Sequence, residues 1–169
     1  MNKIIARVLE YFKKANIIIT EDEIKRIEVA DFGLNDLENT GLQILTYVNT
    51  ERCCAKELVM FPEQTCPEHR HPSINGREGK EETFRCRYGQ VFLYVEGEVT
   101  PDLKTRPPEP PEGKYTVFHE IILNPGEQYT LAPNTKHWFK SGKNGAVVSE
   151  FSTKSMDEAD IFTDERIVR

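Results

Sequence analysis

His69-Arg70-His71, the run Lys80-Glu81-Glu82 and His137 are the residues of this chain whose types and spacing suit metal chemistry. On an extended strand, side chains two apart share a face, so His69 and His71 can ligate one divalent ion together. A carboxylate and a third imidazole, brought in on other strands, complete a set of three histidines and one glutamate. Such a set leaves one or two coordination positions open for substrate oxygens, which is the layout of a catalytic metal site. Glu82, Glu81 and Glu78 are the candidate carboxylates.

Acid–base chemistry needs further groups. A turn around residues 141–145 joins two β-like runs, and an even connection puts Glu150 on the same face as His137 and Phe139. An odd connection puts Ser149 and Phe151 there instead. We expect Glu150 to face in, where a carboxylate is costly unless it is paired or functional. Lys56 interrupts an apolar run and shares a face with Leu58 and Met60. It either snorkels to a rim or offers an ammonium to a substrate oxygen. Lys80, two residues before Glu82, has the same alternatives. His119 alternates with Ile121 and Val117 and reads as a packed or surface strand residue. Cys66-x-x-His69 could open a zinc site, but no second Cys/His pair completes it.

The elements that must position these groups are mostly strands. Residues 2–14 read as an amphipathic helix, with Ile4, Ile5, Val8, Leu9 and Phe12 on one face. Thr20 and Glu23 match a capping box and open a short second helix. Short β-like runs follow at 41–49, 54–61, 65–71, 82–88, 90–96, 115–123, 128–131, 137–140 and 146–152. Asn75-Gly76, Tyr88-Gly89, Pro125-Gly126 and Asn144-Gly145 are the turn signals between them. The pattern predicts an all-β jelly-roll barrel behind an N-terminal helical cap. The expected division is one domain over 1–169, with the cap at 1–40, the barrel at 41–155 and a C-terminal extension at 156–169. The proline-rich stretch 98–113 is a stiffened loop, either a lid, a dimer contact or an exposed hairpin tip.

Composition excludes some partners. The 169 residues carry a net charge of -6 without a basic cluster, which argues against nucleic acid. No apolar run reaches membrane-spanning length, and the charged N-terminus does not look like a signal peptide. The four cysteines have no framework-like spacing and are expected to be reduced, in the cytoplasm.

Two stretches carry a resemblance. His69-x-His71, then Glu82 with six residues between it and Gly89, resemble the first cupin motif. Gly126, Pro133 and His137 resemble the second. The likeness implies a cupin double-stranded β-helix with His69, His71, Glu82 and His137 as metal ligands, and it favours Glu82 over Glu81 and Glu78. The chain departs from the pattern in the ten residues between His71 and Glu82, and in lacking a Gly just before His137. Beyond these motifs, Lys56, Lys80-x-Glu82, Ser149-Glu150-Phe-Ser-Thr153 and Asp160 resemble the D-lyxose isomerase family of metal-dependent cupin sugar isomerases. That likeness implies a divalent metal, usually Mn2+ with Co2+, Fe2+ or Zn2+ also accepted, a homodimer, and interconversion of D-lyxose with D-xylulose or of D-mannose with D-fructose. It makes Glu150 the base, Lys56 and Lys80 substrate-oxygen partners, and Asp160 either a pocket residue or a support behind the residues of the site. Arg169 matches less well and stays outside the expected site. The rival readings are a cupin phosphosugar isomerase, which needs a phosphate cradle, an Fe(II) dioxygenase, and a sugar-binding cupin without catalysis.

Overall fold

The computed structural model describes residues 2–108 and 114–169. Helix α1 (Lys3–Lys14) starts where the Asn2 side chain accepts the Ile4 N–H, and it buries Val8, Tyr11 and Phe12. Helix α2 (Glu21–Ile24) is a single turn held by the expected capping box of Thr20 and Glu23. The rest is β-structure: β1 (Glu28–Ala30), β2 (Leu42–Asn49), β3 (Cys54–Met60), β4 (Thr65–Arg70), β5 (Glu82–Val95), β6 (His119–Leu123), β7 (Gln128–Leu131), β8 (His137–Ser152) and β9 (Ile161–Phe162). All pair antiparallel into one curled sheet, in the order β1-β2-β3-β8-β4-β9, with β5 paired to β6, β7 and β8. The all-β expectation therefore holds.

Strand β8 is the spine. Its C-terminal half lies between β3 and the start of β5, and its N-terminal half lies between β4 and the end of β5. One face of the curled sheet closes on Leu58, Met60, Phe84, Leu93 and Phe139. The other is covered by α1 through Leu45, Val59, Phe61 and Val147. Apolar burial on both faces makes these strands the rigid part of the molecule.

Four expectations need correction. First, 82–88 and 90–96 are one strand, as are 137–140 and 146–152. Gly89 and Gly145 have φ of 74° and 72°, and a Cβ on Gly89 would lie 2.0 Å from the Gly145 carbonyl oxygen. These glycines allow two strands to cross closely at bulges, so Tyr88-Gly89 and Asn144-Gly145 bend strands rather than end them. Second, β6 begins only at His119, because the Thr116 and Val117 N–H groups donate to the Glu68 carboxylate instead of to a strand. Third, the expected helical cap contains β1, which pairs Glu28 with Ile44 and Ala30 with Leu42. Fourth, the extension at 156–169 contains a 3-10 turn (Asp157–Ala159) and β9, which pairs Phe162 with His69.

The described part of the proline-rich stretch lies on the outer face. Glu120 accepts from the Tyr94 hydroxyl and the Lys104 N–H, and Lys140 donates to the Arg106 carbonyl. Tyr94 stacks on Trp138 beneath it, at 3.9 Å between centroids. None of its described residues lines the cavity of the site. Its remaining residues, 109–113, lie outside the described part.

Candidate metal and sugar site

Three imidazoles converge inside the curled sheet. His69 and His137 face each other across the β4–β8 ladder. Strand β4 carries one extra residue between Cys66 and His69, a bulge that leaves Cys66, His69 and His71 lining the same cavity. One ring nitrogen from each of His69, His71 and His137 lies within 4.8 Å of the others. Glu82, at the start of β5, brings Oε1 to 2.9 Å from His71 Nε2 and 3.2 Å from His137 Nε2.

The rings are oriented from behind. His69 Nδ1 lies 2.8 Å from the Pro67 carbonyl, and His137 Nδ1 lies 2.9 Å from the Thr135 carbonyl. A carbonyl oxygen only accepts, so both Nδ1 atoms carry the proton and both Nε2 atoms present lone pairs. His71 Nδ1 is held 2.5 Å from Asp160 Oδ1. Oxygen acceptors behind each ring are the usual supports of metal-ligating histidines. His137 Nε2 is fully buried without a hydrogen-bond partner, which is costly unless something else meets it. These residues fit a divalent cation with three imidazoles and one carboxylate.

Electrostatics agree with that fit. Burial, then the neighbouring His137 and His71, hold the His69 imidazole well below its usual range. Burial pushes Glu82 up, but Lys80 and His71 outweigh it and hold the carboxyl well below its ordinary value. In the absence of a cation, burial lowers His71, yet Glu82 and Asp160 outweigh it and raise it to about 9. A cation here would compete with that proton.

A second cluster adjoins the first. Lys56 on β3 pairs directly with Glu150 on β8, and both point into the cavity at 4 % exposure. Lys80 bridges two carboxylates, with Nζ 2.7 Å from Glu82 Oε2 and 3.0 Å from Glu150 Oε1. Burial disfavours the Lys80 ammonium, but Glu150, Glu82 and Asp157 outweigh it and raise its pKa well above the usual value. Lys56 Nζ donates to Ser155 Oγ at 2.9 Å and to Asp157 Oδ2 at 2.8 Å, with Glu150 at 4.0 Å. Lys56 thus lies inside rather than at the rim. The cavity between these side chains has a volume of about 30 Å3, room for about one or two waters.

Every residue expected in the site lines this cavity except His137, whose Nε2 lies against Glu82 beside it. Asp160 was expected among the substrate-binding groups; its carboxylate is engaged with His71. Glu81 is exposed, with its N–H donating to Thr153 Oγ1, so it does not compete with Glu82. Cys66 lines the cavity, but its sulfur is not in the converging group, so the Cys66-x-x-His69 zinc alternative has no partner set here. His119 lies away from the site, with Nδ1 against the Glu98 carbonyl. Arg85 and Arg87 bond Gln128 and Ser149 outside the cavity and form no cradle within it.

Two residues were missed. Asp157 takes up Lys56, and Arg169, set aside on sequence, donates to Asp157 Oδ2 at 3.1 Å and lines the cavity. The only advance signal was a group of acids at 157–160 and a terminal arginine, without the periodicity that assigns a face.

The fold is that of L-ribose isomerases. The structure of the Acinetobacter sp. DL28 enzyme with L-ribose superposes with a TM-score of 0.80 over 98% of this chain and 91% of that one, at 16% identity. The Cellulomonas parahominis enzyme without ligand gives 0.79, at 15% identity over 98% and 91% of the two chains. At such identity the likeness establishes architecture, and the molecule is a cupin barrel. No family model matches the chain. Curated relatives do: a D-lyxose/D-mannose isomerase of Thermosediminibacter oceani is 69% identical, covering 96% of this chain and 90% of its own. A D-lyxose ketol-isomerase of Cohnella laeviribosi is 60% identical over the same shares. The chain belongs to the D-lyxose isomerase family.

Proposed function

We propose that the protein is a divalent-metal-dependent aldose–ketose isomerase that interconverts D-lyxose and D-xylulose, and by the same steps D-mannose and D-fructose. One observation carries the reading: three back-anchored imidazoles converge with Glu82 at the cavity that holds a buried Glu150 flanked by two lysines. His69, His71, Glu82 and His137 hold the ion. When bound, it supplies Lewis-acid stabilisation of negative charge on neighbouring substrate oxygens. Glu150 removes the proton from C2 of the aldose and returns it to C1, while the hydroxyl proton of O2 passes to O1, so one carboxylate serves as base and then acid at carbon. Lys80 sits within reach of Glu150 and of any oxygen between the two carboxylates, where its ammonium meets developing oxyanion charge. Lys56 has the same role from β3, held in place by Ser155 and Asp157. Phe32, Leu42, Ile44 and Phe162 line the same cavity and keep water from the enediolate.

The reading includes Mn2+ as the resident ion, a homodimer and a cytoplasmic setting, with four unpaired cysteines in support of the last. The test is an NMR time course in D2O with metal-stripped protein reloaded with Mn2+, given D-lyxose and then D-mannose. Ketose bearing deuterium at the exchanging carbon supports proton transfer through Glu150. Ketose without solvent deuterium points to a hydride shift or a shielded proton. No ketose from any free pentose or hexose overturns the reading.

A further inference from the structure

The reverse face of the catalytic strands carries a second buried carboxylate that the chemistry above does not use. Glu57 follows Lys56 on β3, and Ser149 precedes Glu150 on β8. The ladder pairs Lys56 with Glu150 and Glu57 with Ser149. Because strand side chains alternate, the first pair faces the cavity and the second faces away from it. Glu57 is 5 % exposed and Ser149 1 %. Ser149 Oγ lies 2.9 Å and 3.0 Å from the two Glu57 oxygens and donates to them. Arg87 Nη1 in turn donates to Ser149 Oγ at 3.1 Å.

Arg87 reaches Ser149 because of a local irregularity. The β5–β8 register shifts between Cys86 and Tyr88, and Arg87 is the extra residue. A bulge of this kind re-aims one side chain without interrupting the sheet. The result is a chain of donors from β5 through β8 to β3, directly behind Lys56 and Glu150.

We propose that Arg87, Ser149 and Glu57 form a brace that positions Glu150 and Lys56 for proton transfer, by locking β3, β8 and β5 in register behind them. The inference rests on the isomerase reading with Glu150 as base. Three considerations support it. A buried carboxylate served by one hydroxyl is under-satisfied, so stability alone does not account for it. The brace acts at the ladder step next to the pair it positions. Burial also raises the Glu57 carboxyl from 4.5 to about 7, against the lowering effects of Ser149 and Arg87. The other titratable group facing Glu57 is Tyr47 on β2, itself raised by burial and by Glu57, with Glu23 of α2 beyond it. An ionised Glu57 only accepts, so it fixes the direction of the Ser149 hydroxyl, whereas a protonated Glu57 can also donate and leaves that direction unset.

The sign of the stability effect follows from linkage. An acid whose folded pKa is raised favours the fold below its ordinary value near 4.5, and that advantage is lost as pH rises through about 7. Glu57→Gln, which cannot ionise, therefore gains Tm over the parent by an amount that grows between pH 5 and pH 8.

The experiment measures kcat, KM and Tm for the Mn2+-loaded parent, Glu57→Gln, Ser149→Ala, Ser149→Thr and Glu150→Gln across that pH range. Expected are a kcat lowered about 10-fold in Glu57→Gln and Ser149→Ala with KM little changed, and recovery in Ser149→Thr, which keeps the hydroxyl. The parent's rise in kcat through about pH 7 is absent from Glu57→Gln, although that variant is the more stable protein at pH 8. A purely structural role would not lower activity while raising Tm. Parental kcat and pH profile in Glu57→Gln, with Glu150→Gln inactive, overturn the brace alone. An active Glu150→Gln overturns the base assignment, and the brace with it.

Discussion

Glu68 and Glu82 are buried to nearly the same degree, at 0 % and 2 % exposure, and they stand in opposite kinds of surroundings. Glu68, on β4, meets only neutral donors. It accepts from the Thr116 N–H and hydroxyl, the Val117 N–H and the Thr163 hydroxyl. Its own carbonyl accepts the Thr163 N–H. It ties β4 to the segment before β6 and to the chain after β9, and its hydrogen-bonding capacity is used up. Glu82 meets a lysine and two imidazoles, one of which has an unpartnered nitrogen. A saturated carboxylate among fixed neutral dipoles stabilises a fold. A carboxylate among titratable groups, with capacity left over, is arranged for a ligand.

The contrast can be broken by substitution, beginning with the cluster around Glu82. Glu150→Gln should lower kcat by about 10² to 10⁴-fold, with Mn2+ affinity by calorimetry close to the parent's. A loss confined to KM would remove Glu150 from the proton path. Glu82→Gln should weaken Mn2+ binding by more than about 100-fold, the upper range for losing a mere supporting group. Parental affinity would make Glu82 as structural as Glu68. Asp160→Asn is expected to cost about 10- to 100-fold in metal affinity by loosening His71, with kcat recovered at saturating Mn2+. Failure to recover would move Asp160 back among the substrate contacts.

Glu68→Ala has the smallest expected effect on chemistry and a large one on stability. It strands one buried N–H, one half-buried N–H and two hydroxyls, at a cost of about 3 kcal/mol. That corresponds to a fall of about 6–12 °C in Tm for a chain of this size. Well below the transition, kcat should stay within about 3-fold of the parent, since fully supported β-structure still carries the ligands. An unchanged Tm with lost activity would reverse the assignment of the two glutamates.

Much of the site was legible because strands obey a period of two. His-x-His on one face, Lys56 with Leu58 and Met60, and Glu150 with His137 all follow from alternation. The even-connection argument for Glu150 reached the right face, although no turn separates the two halves of β8. What failed were inferences that treat glycine as a stop. Gly89 and Gly145 read as turns, yet each marks a place where backbones approach too closely for a Cβ. Alternation also says nothing about a segment without a period. Asp157 and Arg169 were missed for that reason, because their places depend on how 154–169 folds back over the barrel mouth.

The sequence by itself determined which side chains share the inward face: three imidazoles, a glutamate, a second glutamate and two lysines, carried on strands that turn them inward. These are local properties, set by side-chain type and strand alternation over a few residues. Only the tertiary structure decided which acceptor stands behind each imidazole, which carboxylates Lys80 joins, and that Glu57 and Ser149 meet behind Lys56 and Glu150. Those pairings join residues distant along the chain. Their geometry comes from ladder register, bulge position and the path of the C-terminal strap, which are properties of the whole packed barrel.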